Sequence, residues 1–111
     1  MLSKNYRLTK RKAFNYIYKN GSYKSSENLT LMYHPAKTMR VGFSVSKKVG
    51  KAHIRNRIKR QLRAIVQDYL IRLNANYNYI IVAKPSITDK SFTKIREELF
   101  HLFEICGMIN E

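Results

Sequence analysis

RVGFSVSKKVGKAHIRNRIKRQLRAIVQDYLIRL, residues 40–73, changes its apolar period once, and that change decides the fold class. In residues 40–46, Val41, Phe43 and Val45 alternate with Gly42, Ser44 and Ser46, the period of a strand. The second face of that strand is so small that something must pack closely on it, or a ligand must approach it. Residues 47–51, KKVGK, form a basic connection. From about Ala52 to Leu73 the apolar residues are Ile54, Ile58, Leu62, Ile65, Val66, Tyr69, Leu70 and Leu73. Gaps of three, four and one between them are the signature of an amphipathic helix.

Outward from this core, NANYN (74–78) breaks the helix. YIIVAK (79–84) is a nearly continuous apolar run, as expected of a central strand. Residues 85–90 read as a loop, and Ser91 as the cap of a last helix carrying Phe92, Ile95, Leu99, Leu102 and Phe103. Upstream, LTLMY (29–33) is a strand with Leu29, Leu31 and Tyr33 on one face, ended by His34-Pro35. Residues 9–20 form a short helix with Thr9 as N-cap and Gly21 as its stop. The expected order is α-β-β-α-β-α, a single α+β domain spanning residues 1–111 with helices on one small mixed sheet.

The 111 residues carry a net charge of +15, and the charge is unevenly placed. Residues 1–67 hold 17 Lys and Arg against one acid, Glu27, whereas residues 68–111 hold 5 basic and 6 acidic residues. A segment nearly free of acids suits a polyanion, not a solvated surface of mixed sign. One cysteine, Cys106, excludes an internal disulfide and a four-cysteine zinc site, and its plain reading is a small buried hydrophobe. MLSKNYRLTKRK has no apolar signal-peptide core, and no apolar run nears the ~20 residues of a membrane span. The expectation is a soluble cytoplasmic protein with no membrane partner.

Residues 47–63 hold eight basic residues and no acid. Lys51, Arg55, Lys59 and Arg63 recur every four positions and stack along one helix face. Like charges at that spacing repel, and cations at a helix start oppose its dipole. Docked phosphates reverse the sign of both effects, so the segment, with Lys47, Lys48, Lys51, Arg55, Asn56, Arg57, Lys59, Arg60 and Arg63, is a candidate phosphate contact, and the pattern by itself does not say which nucleic acid. Phe14, Tyr18 and Tyr33 fall in segments shared with Lys10, Arg11 and Lys12. Aromatic faces beside cations hold single-stranded RNA by stacking its bases. Phe14 is equally suited to the core of its helix. A protein nuclease would need paired carboxylates or a His-based acid–base set. Glu27 is alone in the basic part, and His34, His53 and His101 are scattered, so no catalytic residue is assigned. A DNA-binding repressor would want two helices joined by a short turn, but here the long helix follows a strand.

The spacing KxxGxAxxRNxxKRxxR, made by Lys47, Gly50, Ala52, Arg55, Asn56, Lys59, Arg60 and Arg63, resembles the signature of the bacterial ribonuclease P protein family. Arg57 completes its Arg-Asn-Arg core. RLTKRKAF, RVGFSVSKKVG, YIIVAKP and the ELFHLF helix are similar too, so the resemblance spans nearly the whole chain. It separates this chain from a ribosomal protein of like composition. It implies an unusual left-handed β-α-β crossover through the long helix to YIIVAK. It implies that the basic motif binds the catalytic RNA subunit. A cleft of the first helix and sheet, with Lys10, Arg11, Lys12, Phe14, Tyr18 and Tyr33, would hold the 5′ leader of precursor tRNA. It implies that Mg²⁺ is bound mainly by the RNA and that the RNA carries the catalysis; no small-molecule substrate is expected, and no metal-ligating residue is assigned on the protein. The SSENL segment before the first strand, with Glu27, departs from the family's basic or amide-rich habit.

Overall fold

A computed structural model describes residues 4–110. Residues 1–3 and 111, which include part of the opening segment read for a signal peptide, lie outside the described residues. Among the described residues the main elements are α1 (Arg11–Asn20), β1 (Ser22–Ser25), β2 (Leu29–Pro35), β3 (Arg40–Ser44), α2 (Ala52–Asp68), β4 (Tyr77–Ala83) and α3 (Phe92–Ile105). Short 3₁₀ turns lie at Lys4–Tyr6, Leu70–Arg72 and Pro85–Asp89.

The strands form one mixed sheet in the order β1-β2-β4-β3. β2 is antiparallel to both β1 and β4, and β3 runs parallel to β4. β4 is central, as its apolar run requires. α2 carries the chain from β3 to its parallel neighbour, which a hairpin could not do.

Strand alternation sends the two halves of each strand to different cores. Leu29 and Leu31 of β2, Val41 of β3, and Tyr79, Ile81 and Ala83 of β4 join Ile58, Leu62, Ile65 and Val66 of α2 and Ile95, Leu99, Leu102 and Phe103 of α3. On the other face Ile80, Met32 and Val82 join Leu8, Ala13, Phe14 and Ile17 around α1. The sheet is thus covered unequally, with two long helices on one side and one short helix on the other.

The structure corrects the expected order by one strand. β1, SYKS, is exposed at every position, so it carries no apolar alternation for a sequence reading to detect. It is an edge strand held by its hairpin to β2. The long helix stops at Asp68 rather than Leu73. Tyr69 leaves helical geometry at φ −125°, and a 3₁₀ turn follows. Leu70 and Leu73 stay buried there, so the apolar spacing runs on past the end of the helix.

The first helix begins at Arg11 with Lys10, not Thr9, in the cap position, and Lys10 makes no side-chain cap bond. Gly21 follows the helix but at φ −79°, so its glycine serves closeness rather than a left-handed stop. A Cβ there would sit 2.7 Å from the Ile17 carbonyl oxygen and 3.0 Å from that of Tyr33. Ser91 caps α3 as read, accepting from the Lys94 amide at 3.1 Å.

Candidate RNA-binding surfaces

The basic motif occupies the turn after β3 and the first three turns of α2. Lys51 is the N-cap residue, and its side chain makes no cap bond. Its carbonyl takes the Ile54 and Arg55 amides, each at 3.0 Å. Val45 and Val49 are buried on either side of exposed Ser46, Lys47 and Lys48, which pins the turn while both lysines stay exposed. Gly50 lets the turn close on Ile54, whose side chain would lie 3.2 Å from any Cβ placed there.

The motif's cations are not equivalent. Arg55 Nε donates to the Gly50 carbonyl at 3.1 Å, binding helix to turn. Arg57 Nη2 donates to the Thr88 carbonyl at 3.0 Å, tying α2 to the turn after β4. The Arg63 guanidinium lies 6.0 Å from the centre of the Phe43 ring, a weak cation–π placement. Asn56 and Arg60 are exposed, and Lys59 is half-buried beside them. Among the described residues no cation of residues 47–63 is in an ion pair. The pairs are Lys90 with Glu27 and Asp89, and Arg96 with Asp68 at 2.7 Å, beyond the basic end of α2.

The second surface is built on α1 and the sheet face beneath it. Strand register sets three rows there: Thr30–Val82–Ser44, Met32–Ile80–Gly42 and His34–Asn78–Arg40. Leu8, just before α1, donates to the Val41 carbonyl at 2.9 Å, and Gly21, just after it, abuts Tyr33. α1 therefore crosses the strands from β3 toward β1. On one flank Arg11, Phe14 and Tyr18 share a stripe. The Phe14 ring sits over Gly42, where a Cβ would come within 2.5 Å of its Cζ, and 6.2 Å from the Tyr18 ring. Of the two readings of the small face of β3, close packing and the approach of a ligand, the Phe14 ring supplies the first at Gly42. On the other flank Tyr16 meets the His34 ring edge-on at 5.1 Å, beside Lys12 and Lys19.

Phe14 is half-buried and Tyr18 is exposed, so Phe14 is a core residue with a partly open flank toward the groove expected between α1 and the sheet. Lys10, Arg11 and Lys12 are all exposed at the start of α1. Tyr33 is not in this groove. It shares its strand face with Leu29 and Leu31, and packs against the α2–α3 core near Tyr77. Its hydroxyl pKa is pushed up by burial, with the Cys106 thiol beside it adding to the shift. The alternation that put Tyr33 with two core leucines already assigned its side; its neighbour Met32 takes the groove face. Thr30, Ser44, Val82, Tyr16 and His34 were missed as surface members, and only strand parity combined with the position of α1 identifies them.

Cys106 is half-buried at the end of α3, and burial raises its pKa, so it stays a thiol. No group of three or more His, Cys, Asp or Glu able to hold a metal occurs among the described residues. No helix there is long and apolar enough to cross a membrane.

An α+β sheet with two separate acid-free cationic surfaces, one of them lined by aromatic rings, defines a class of RNA-binding protein. The comparisons make the class particular. A family model described as Ribonuclease P matches residues 2–107. The ribonuclease P protein component of Nitratiruptor sp. is 41% identical over 97 residues, covering 87% of this chain and 88% of that one. That of Symbiobacterium thermophilum is 34% identical, covering 97% and 96%. The Staphylococcus aureus RNase P protein structure aligns with a TM-score of 0.89 at 30% identity, covering 96% of this chain and all of that one. The Thermotoga maritima RNase P protein aligns at 0.80 and 25% identity, covering 86% and 93%. The chain belongs to the ribonuclease P protein family, and with membership goes a subunit role in tRNA 5′ processing.

Proposed function

We propose that this chain performs its subunit role through two surfaces that hold two different RNAs. The turn before α2 and its start, with Lys47, Lys48, Lys51, Asn56, Arg57 and Arg60 exposed and Arg55, Lys59 and Arg63 half-buried beside them, dock on the catalytic RNA subunit. The groove between α1 and the sheet, with Arg11, Phe14 and Tyr18, holds the single-stranded 5′ leader of precursor tRNA. Carrying this reading is the absence, among the described residues, of any ion pair to the eight cations of residues 47–63. Their charge is left for an outside polyanion.

Catalysis belongs to the RNA, and Mg²⁺ held mainly by that RNA supplies the activation of water and the stabilisation of the leaving oxygen. The chain's residues neutralise phosphates and fix the leader by stacking, which lowers the metal concentration the assembly needs. A lone thiol without a disulfide suits the reducing cytoplasm.

The test is cleavage of precursor tRNA by a bacterial catalytic RNA subunit at low Mg²⁺, with and without this chain. Cleavage at the mature 5′ end should rise on adding the chain and require the RNA. RNA binding without stimulation would refute the reading. Tyr18→Ala should weaken binding of leader-bearing precursor by roughly 1–3 kcal/mol, the worth of one stacked base, and leave mature tRNA unchanged.

A further inference from the structure

A cavity of about 720 Å³ opens beyond the far flank of α1, between the Lys4–Tyr6 turn, the β2–β3 loop and the 3₁₀ turn after α2. Lys4, Lys37 and Arg40 supply its charge, and Tyr6, Met39 and Ile71 its apolar wall. No acid lines it. Its size is that of a small-ligand site. Ile71 is 94% exposed and Tyr6 38%, so the apolar wall is open to an incoming ring.

The cavity does not stand alone. Arg40 also lines a smaller one of about 270 Å³ beneath the start of α1, together with Lys10 and Asn78, and that one has no acid either. Lys10 in turn lines the concavity along the outer flank of α1, with Lys12 and Lys19. By contrast, the cavity between α2 and α3 carries Asp68 and Glu97. Through the shared Arg40 and Lys10, three acid-free concavities therefore lead from the outer flank of α1 to the pocket. Lys10, Arg11 and Lys12 bridge the two flanks of α1 across its first turn.

We infer that the pocket binds a nucleotide of the leader distal to the groove, after the strand has passed over the start of α1. Its phosphate meets Lys4, Lys37 and Arg40, and its base lies against Tyr6 and Ile71. This rests on the leader reading proposed above. Lys and Arg track the backbone and any base stacks on an aromatic or apolar face, so the site is indifferent to sequence.

The experiment measures affinity of the reconstituted holoenzyme for precursor tRNA whose leader is lengthened one nucleotide at a time. Affinity should climb in two steps. Lys4→Ala combined with Lys37→Ala should remove the second step, about a three- to tenfold loss for two exposed phosphate contacts, and leave the first. The salt slope for long leaders should become shallower by about 0.7 per lost contact. Ala75→Glu, an exposed acid at the pocket wall, should act alike without touching those lysines, and unchanged melting would exclude misfolding. A single step in the parent chain overturns the pocket, as does equal loss for short and long leaders. If Tyr18→Ala leaves the first step intact, the groove reading itself fails, whatever the pocket variants do.

Discussion

Gly42 is where one hydrogen atom in place of a methyl group decides a surface. Its missing Cβ is the space that the Phe14 ring fills, with Leu8 Cβ the next neighbour at 3.2 Å. Gly42→Ala should push the ring off the sheet at a cost of about 1–3 kcal/mol, the usual penalty of overpacking. Urea unfolding would read the stability, and leader-dependent affinity should fall with it. A variant as stable as the parent would mean that the ring moves aside freely. Tyr33 teaches the opposite lesson. An aromatic beside a cationic helix in the sequence is assigned to a surface by its strand parity, and parity puts Tyr33 under α3 rather than α1.

In the proposed reading, α2 combines structural and RNA-facing work on one helix. Arg60 is exposed and has no protein partner among the described contacts, whereas Arg57 holds the Thr88 carbonyl. Arg60→Ala should therefore leave melting unchanged, weaken catalytic-RNA binding and flatten its salt slope by about 0.9 per lost phosphate contact. Arg57→Ala should lower RNA affinity and also cost about 0.5–1.5 kcal/mol of stability through the lost tie to the turn after β4. Paired titrations and melts distinguish the two; equal melting of both variants would refute the distinction. At the other end of the chain, Ser91→Ala removes the one side-chain bond at the start of α3 and should cost about 1 kcal/mol.

Across the whole molecule, Glu98 joins elements that lie 70 residues apart. Its carboxylate accepts from the Asn28 amide at 2.8 Å, from Asn28 Nδ2 at 2.7 Å and from the Ser26 hydroxyl. Lys84 Nζ closes the loop on the Ser26 carbonyl at 2.6 Å. The β1–β2 turn is thus clamped to α3 and to the end of β4, and Asn28 is buried. Burial raises the Glu98 pKa, but the bonds from Ser26 and Asn28 outweigh it, and the carboxyl ends below its ordinary 4.5. The folded value lies under the unfolded one, so this contribution is complete above about 4.5 and is lost as pH falls through the lower folded value. Glu98→Ala leaves buried donors without an acceptor and should cost about 1–3 kcal/mol at neutral pH. Its stability should also fall less steeply than the parent's below pH 4.5, as read by denaturation across the acid range. Parallel acid limbs would remove Glu98 from that account.

Period was enough for β3 and the bodies of α2 and α3, because burying one face of an element writes its spacing into the chain, while β4, covered on both faces, showed itself by a continuous apolar run and the start of α3 by its Ser91 cap. The acid-free run of residues 47–63 marks the proposed RNA contact for a similar reason, since charge that is to meet phosphate excludes its own countercharge. The edge strand β1 buries nothing and leaves no such mark. Nor could any local pattern say that α1 crosses the sheet between two rows of strand residues. That crossing puts Phe14 on Gly42, and the pocket likewise forms between segments far apart in sequence, the Lys4–Tyr6 turn, the β2–β3 loop and the 3₁₀ turn after α2. These depend on contacts between distant elements, and spacing along one element carries no information about which face of another it will meet.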